Sequence, residues 1–349
     1  VIHWRALASL APLWLALTAQ TAPPPATPPP PPSAPVAPGA EGTADDEEGR
    51  GRIVGGRDAR PSSALYQVEI YSTNQWSPAE VALDTARPDS DPAKLFLARK
   101  PDDWERDHRC GGALISKDWI LTAGHCVAGI NGGVLANRRV RLGSLSLLPN
   151  GGSTTYRIER VVLHKDFSED RLTNDIALIR IAPDAATRRI DPRRAIPIEP
   201  MGAKQGVRPL AEDDPLLATG WGATGLKRVG APEARGVNGL ERMSPTLKEL
   251  DLSVAPDSAC MGIGAYAQAM QTGGALCISA LPGTGDCNGD SGGPLVRPER
   301  GGGAVLVGLV SQGRGCAQGM PSLYTKVSAY VGWIERAQRM SVAEQVVRR

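Results

Sequence analysis

Cys287-Asn288-Gly289-Asp290-Ser291-Gly292-Gly293-Pro294 sets a single serine in a run of glycines closed by a proline. A hydroxyl nucleophile needs exposure, and it needs backbone N–H groups aimed at the oxyanion that its attack creates. Glycines let the main chain approach that closely, so the stretch reads as a tight loop presenting Ser291. Three further segments carry residues with complementary chemistry. Leu121-Thr122-Ala123-Gly124-His125-Cys126 puts a histidine at the end of an apolar strand, and Thr173-Asn174-Asp175-Ile176-Ala177-Leu178-Ile179 puts an aspartate at the mouth of another. Arg52-Ile53-Val54-Gly55-Gly56 opens the ordered chain. Each segment alone has a plain reading: a histidine at a strand end is usually structural, and an aspartate before a strand is often a cap.

The rest of the chain is patterned for β structure. Short runs rich in Val, Ile, Leu and Tyr recur between Gly, Pro and Asn clusters, which argues for an all-β barrel or sandwich. The clearest are Tyr66 to Tyr71, Ala113 to Ser116, Trp119 to Thr122, Arg139 to Leu142, Ile158 to Leu163 and Ile176 to Ile181. Leu247 to Val254, Gly293 to Val296, Ala304 to Ser311 and Ser322 to Val327 follow. Val327 to Met340 has helical spacing instead, with Val327, Tyr330, Val331 and Ile334 on one face.

Composition narrows the class. At 349 residues, 41% hydrophobic and 22% charged, the chain can bury a core, so wholly disordered, collagen-like and coiled-coil proteins are excluded. A net charge of +2 gives no electrostatic reason to expect nucleic acid as a partner. His3 and Arg5 precede an apolar run from Ala6 to Ala19, shorter than a spanning helix needs, so residues 1–22 read as a secretory signal. Residues 23–52 follow as a Pro-rich linker and acidic propeptide: ten prolines in the eighteen residues Pro23 to Ala40, then Asp45-Asp46-Glu47-Glu48. Such a tract is a semi-rigid, solvated spacer. Six cysteines behind a secretory signal favour disulfides, with fifteen pairings open, and the lack of any C-x-x-C spacing argues against a zinc ribbon.

Taken together and in this order, the four segments resemble the chymotrypsin/trypsin-like serine proteases, whose triad runs His, Asp, Ser. Here that order is His125, Asp175, Ser291. Tyr66-Gln67-Val68, Cys110-Gly111-Gly112, Gly220-Trp221-Gly222 and Tyr324-Thr325-Lys326-Val327 extend the likeness, which runs from Ile53 to about Met340 within a 53–349 protease domain. The resemblance implies two six-stranded antiparallel β-barrels with a C-terminal α-helix and an active site in the crevice between the barrels. It implies His125 as general base then acid, Asp175 as its orienting partner, and Ser291 as nucleophile. The N–H groups of Gly289 and Ser291 would form the oxyanion hole. It also implies the disulfides Cys110–Cys126, Cys260–Cys277 and Cys287–Cys316, which use all six cysteines.

The likeness carries expectations about activation and specificity. Cleavage between Arg52 and Ile53 would free an α-amino group that pairs with Asp290 and turns the adjacent glycine amide into the oxyanion hole. The position where trypsin-like members carry a pocket-floor aspartate is Gly285, and the aspartate sits next door at Asp286. A charge in a dry pocket is worth more than one in water, so basic P1 residues are expected. On the other reading Asp286 turns to solvent and the pocket takes mid-sized apolar side chains. Gly313 would admit large side chains at the entrance, and Ser322 would narrow the base. The backbone from Ser311 to Gly313 would pair with substrate, although Gln312 replaces the usual tryptophan. Gly124 replaces the usual alanine, a loss of one methyl expected to be tolerated, though it could loosen the loop that carries His125. Thr73 to Arg109 reads as a surface insertion on the leaving-group side. Gly143 to Tyr156 has no carboxylate, which leaves calcium binding without support, and no metal or cofactor is expected. The expected protein is a secreted or periplasmic serine endopeptidase acting on protein or peptide substrates, with no nucleic acid and no stable membrane span. Two other classes stay open: a protease-like binding module without chemistry, and a surface protein whose working part is the Pro-rich segment.

Overall fold

The computed structural model describes residues 55–88, 97–100, 102–128, 137–148, 151, 153–200, 210–212, 214–223, 243–279, 281–313 and 319–340. All of them belong to one compact unit, Glu47–Arg349. Residues 1–54, with the expected signal, linker and Arg52–Ile53 site, lie outside the described residues, as do Cys316 and the segment after Met340.

The strands are β1 (Arg57–Asp58), β2 (Gln67–Ser72), β3 (His108–Leu114), β4 (Trp119–Thr122), β5 (Arg138–Leu142), β6 (Thr154–Leu163) and β7 (Ala177–Ile181). They continue as β8 (Leu216–Gly220), β9 (Lys248–Val254), β10 (Ala275–Ser279), β11 (Pro294–Pro298), β12 (Ala304–Gln312) and β13 (Ser322–Lys326). The first barrel closes in the order β2-β3-β4-β7-β6-β5. The second runs β9-β10-β13-β12-β11-β8 and closes through β8 and β9, with β1 added on the outer side of β9. All these pairings are antiparallel. The fold is therefore the expected pair of six-stranded antiparallel barrels.

Side-chain alternation explains why so many strands read as unbroken apolar runs. In β7, Ala177, Ile179 and Ile181 fill the first barrel, while Leu178 faces the opposite side. In β12, Val305 and Val307 fill the second barrel, while Leu306 and Leu309 join Leu178. Successive residues point to opposite faces, and here both faces are buried. The shared cluster also takes Val327, Tyr330, Ile334 and Ala337, so the C-terminal helix Val331–Arg339 packs on it through the face its spacing predicted. Val331 is only half-buried, and the first turn, Val327–Tyr330, is 3-10 rather than α.

Besides the two-residue β1, two barrel strands escape the sequence reading. Leu216–Gly220 (LLATG) and Ala275–Ser279 (ALCIS) lack a β-branched, alternating signature, and tertiary pairing makes them strands. Ala113 to Ser116 is the end of a longer strand that starts at His108, because Cys110, Gly111 and Gly112 pair across β2. The insertion is partly helical: α1 (Pro78–Ala86) and α2 (Asp103–Asp107). A capping box of Ser77 and Glu80 starts α1. The buried Asp84 carboxylate accepts the Leu97 N–H at 2.7 Å, and Trp104 packs against the cluster around the fully buried Trp221.

Candidate active site

The loop that carries Ser291 is fixed by its backbone. Asp290 N–H donates to Cys287 O at 3.0 Å, Gly292 N–H to Val310 O at 2.8 Å, and Gly111 N–H of the first barrel to Ser291 O at 2.7 Å. Gly292 has φ +73°, and a Cβ there would lie 2.3 Å from Thr122 Oγ1, so only glycine fits where the two barrels meet. Gly289 has φ +98°. The Asn288 carbonyl accepts the Ala223 N–H at 2.8 Å. In a trans peptide the N–H opposes the C=O, so the Gly289 N–H points away from Ala223.

His125 follows β4 and Asp175 precedes β7, and β4 pairs with β7, so the barrel itself brings the two together. Asp175 Oδ1 accepts the His125 backbone N–H at 2.8 Å, and its Oδ2 lies 2.9 Å from His125 Nδ1. Oδ2 also accepts Ser311 Oγ–H at 2.6 Å, and Thr325 Oγ1–H donates to the Asp175 carbonyl at 2.7 Å. Burial pushes the Asp175 carboxyl up, but the His125 contact and the Ser311 hydroxyl outweigh it and hold it below the ordinary value. Burial pulls His125 down, yet the Asp175 bond and charge, with Glu169 adding, leave it above an ordinary histidine. His125, Asp175 and Ser291 line one cleft of about 330 Å³. His125 and Ser291 are not hydrogen-bonded to each other, and His125 Nε2 lies 3.8 Å from Cys126 Sγ. In an enzyme without substrate that bond is often long.

Asp286 does not turn to solvent. It is buried, it lines the same cleft with Ser311, Gln312 and Gly313, and it accepts Tyr324 Oη–H at 3.1 Å and a bond from Ser322. Complete burial pushes its carboxyl up against those two bonds. Gly313 leaves the space that Asp286 faces, since a Cβ there would lie 3.2 Å from Oδ2. Gly285 is buried and, like Ser322, is not among the cleft-lining residues. Ser322 reaches the cleft only through Asp286.

Asp290 sits beneath the loop, 2% exposed, accepting the Gly222 N–H at 2.8 Å and the Cys287 N–H at 2.9 Å. A Cβ on Gly220 or Gly222 would lie 2.0 or 2.3 Å from its carboxylate, so the Gly220-Trp221-Gly222 stretch makes room for it. Burial pushes the Asp290 carboxyl up to about 7. Cys110–Cys126 and Cys260–Cys277 are bridged. Cys287 is also disulfide-bonded, while its expected partner, Cys316, lies outside the described residues. The disulfide removes Cys110 and Cys126 as ligands from the grouping they make with His125.

The methyl missing at Gly124 leaves no open space behind it. A Cβ there would meet Phe167 Cδ2 at 2.9 Å, Leu163 Cδ1 at 3.1 Å and Ile176 N at 3.1 Å, so neighbouring side chains already fill the space of the missing methyl. Sequence reasoning also missed Phe167, Glu169 and Leu172, which line the cleft. Leu172 has φ +53°, a conformation a leucine rarely adopts. No local motif marks these residues. The bond of Ser311 to Asp175 spans 136 residues and was equally invisible.

A family model described as Trypsin matches residues 80–334. Chymotrypsin-2 of Vespa crabro is 30% identical over 231 residues, 66% of this chain and 89% of its own. Trypsin-3 of Salmo salar is 30% identical over 293 residues, 83% of this chain and 93% of its own. Trypsin Blo t 3 of Blomia tropicalis is 31% identical over 231 residues, 65% and 76% of the two chains. No helix among the described residues is long and apolar enough to cross a membrane. With this fold, and with a family match over most of its length, the chain belongs to the trypsin family of serine proteases.

Proposed function

We propose that the protein is a secreted serine endopeptidase that cleaves after basic residues and is activated by cutting between Arg52 and Ile53. The observation that carries the reading is the doubly bonded Asp175–His125 pair in one cleft with Ser291 and a buried Asp286. His125 Nε2, on the ring edge opposite the Asp175 contact, takes the Ser291 proton as Oγ attacks the scissile carbonyl. Asp175 stabilises the imidazolium, and His125 then returns the proton to the leaving amine. The N–H groups of Gly289 and Ser291 receive the oxyanion. Water repeats the sequence on the acyl-enzyme. Because His125 must start neutral and its pKa lies above the ordinary value, activity rises with pH as that ring deprotonates.

Among the described residues that line the cleft, Asp286 supplies the only carboxylate besides Asp175 and Glu169, and Asp175 is committed to His125. A P1 arginine or lysine entering past Gly313 would meet it in a poorly hydrated site, where the pair is strong. The test measures cleavage of matched Arg-P1 and Leu-P1 peptides by protein beginning at Ile53. Ser291→Ala should abolish turnover of both, and Asp286→Ser should lower kcat/KM for Arg at least about tenfold more than for Leu. Turnover persisting in Ser291→Ala refutes the nucleophile, and an unchanged Arg/Leu ratio refutes the basic preference in favour of the apolar one.

A further inference from the structure

Gly289 is held from both sides, and one of the two clamps is not accounted for by the triad. On its N-terminal side Ala223 N–H fixes the Asn288 carbonyl. On its C-terminal side, the Gly289 carbonyl lies 2.8 Å from His108 Nε2. His108 stands at the start of β3 and is 3% exposed. Its other nitrogen, Nδ1, lies 3.1 Å from Oε1 of Glu69 on β2, itself 2% exposed. The Trp221 ring packs edge-on against the imidazole at 6.1 Å between centroids. Arg141 on β5 closes the chain, with NH1 3.3 Å from Glu69 Oε2.

The proton count in this arrangement is constrained. A carbonyl only accepts, so His108 Nε2 must carry a proton. The Nδ1–Oε1 contact needs a second proton, on either atom, because a bare ring nitrogen facing a carboxylate repels it. Glu69 and His108 therefore share one proton more than a free carboxylate and a neutral imidazole would hold, and Arg141 favours the form with the charge on Glu69. Removing the shared proton leaves one acceptor facing another, at Glu69 or at Gly289.

We propose that Glu69 and His108 are positioning residues: a buried, proton-sharing pair that clamps the Gly289 carbonyl and so keeps the Gly289 N–H set for the oxyanion. The inference rests on the peptidase reading above. A glycine at φ +98° has no side chain to lock it, so its orientation depends on what its two peptides bond to. The charged groups around the ring are Glu69 on β2, Arg141 on β5, Asp290 in the nucleophile loop, and Asp107 and Arg109 on either side of it in sequence. The clamp acts on the transition state, where the oxyanion forms, and not on ground-state binding. Its loss belongs in kcat.

The experiment compares the parent, His108→Leu, Glu69→Leu and Glu69→Gln, each beginning at Ile53 and each counted by titration with a fluorophosphonate probe. Loss of a whole oxyanion donor costs about 10²–10³ in kcat, so a loosened one should cost about tenfold or more. His108→Leu and Glu69→Leu should lose that much kcat per titrated site, with KM within about twofold of the parent. Glu69→Gln should keep most of the rate, because its amide N–H can donate to Nδ1 while Nε2–H still serves Gly289. Circular dichroism and melting confirm that each variant folds. If His108→Leu does not fold, the contrast between Glu69→Leu and Glu69→Gln decides. Parent-like kcat in His108→Leu or Glu69→Leu, or equal losses in Glu69→Leu and Glu69→Gln, would overturn the clamp alone. A parent that takes up no probe and cuts no peptide would instead overturn the peptidase reading, and the clamp with it.

Discussion

At Gly124 a single missing methyl shows how a departure from a family pattern is absorbed. The space is taken by the Phe167 ring and Leu163, while the Ile176 backbone N–H gives the third wall. A backbone wall cannot move aside cheaply, and Phe167 lines the cleft, so the site has no slack for a larger residue. Gly124→Ala, which would restore the usual family residue, should therefore destabilise the protein by about 1–3 kcal/mol through overpacking. Trimming the ring in the same chain, Gly124→Ala with Phe167→Leu, should recover much of that loss. Urea unfolding of the single and double variants checks it. A single variant as stable as the parent would mean the loop yields freely.

Among the elements, the Thr73 to Arg109 insertion departs furthest from a plain surface loop. Glu105 of α2 is 1% exposed, and its carboxylate accepts the Met243 N–H at 3.1 Å. Met243 in turn flanks Gly289, its Cε lying 2.7 Å from where a Gly289 Cβ would stand. The helix thus braces the wall of the loop that carries Ser291 from outside both barrels. Removing one partner of a buried bond leaves the other unsatisfied, at about 1–3 kcal/mol. Glu105→Ala should lower the melting temperature accordingly, and differential scanning calorimetry against the parent would show it. No shift in melting would mean that α2 rests on the barrels without holding Met243.

Across the whole molecule, the proposed activation and the protein's stability meet at Asp290. Its folded pKa of about 7 lies above the ordinary 3.8, so between about pH 4 and pH 7 the folded chain holds a proton that the unfolded chain has released. Stability of the uncut protein must then fall as pH rises through that window, by up to about 4 kcal/mol for a shift of this size. Pairing with the freed Ile53 amine would relieve the cost. The background for the test is Arg52→Gln, which basic-specific proteases do not cut at this site. In it, Asp290→Asn should flatten the loss of urea stability between pH 4 and pH 7. Equal slopes with and without the carboxylate would show that Asp290 does not titrate there.

The sequence alone determined what local chemistry can specify. Motif order around Ser291, His125 and Asp175, apolar runs long enough to be strands, and the helical spacing after Val327 are each written in neighbouring residues. The two-barrel architecture followed from that resemblance, and β8 and β10 went unread because Leu216–Gly220 and Ala275–Ser279 owe their conformation to partners, not to propensity. Only the tertiary structure decided that Asp286 faces the cleft and that Phe167 and Leu163 fill the space at Gly124. It alone joined Ser311 to Asp175 and Glu69 through His108 to Gly289. These contacts are made between residues tens to more than a hundred positions apart. Their direction is set by barrel closure and by where burial leaves a polar group in need of a partner, and neither is encoded in any short stretch of chain.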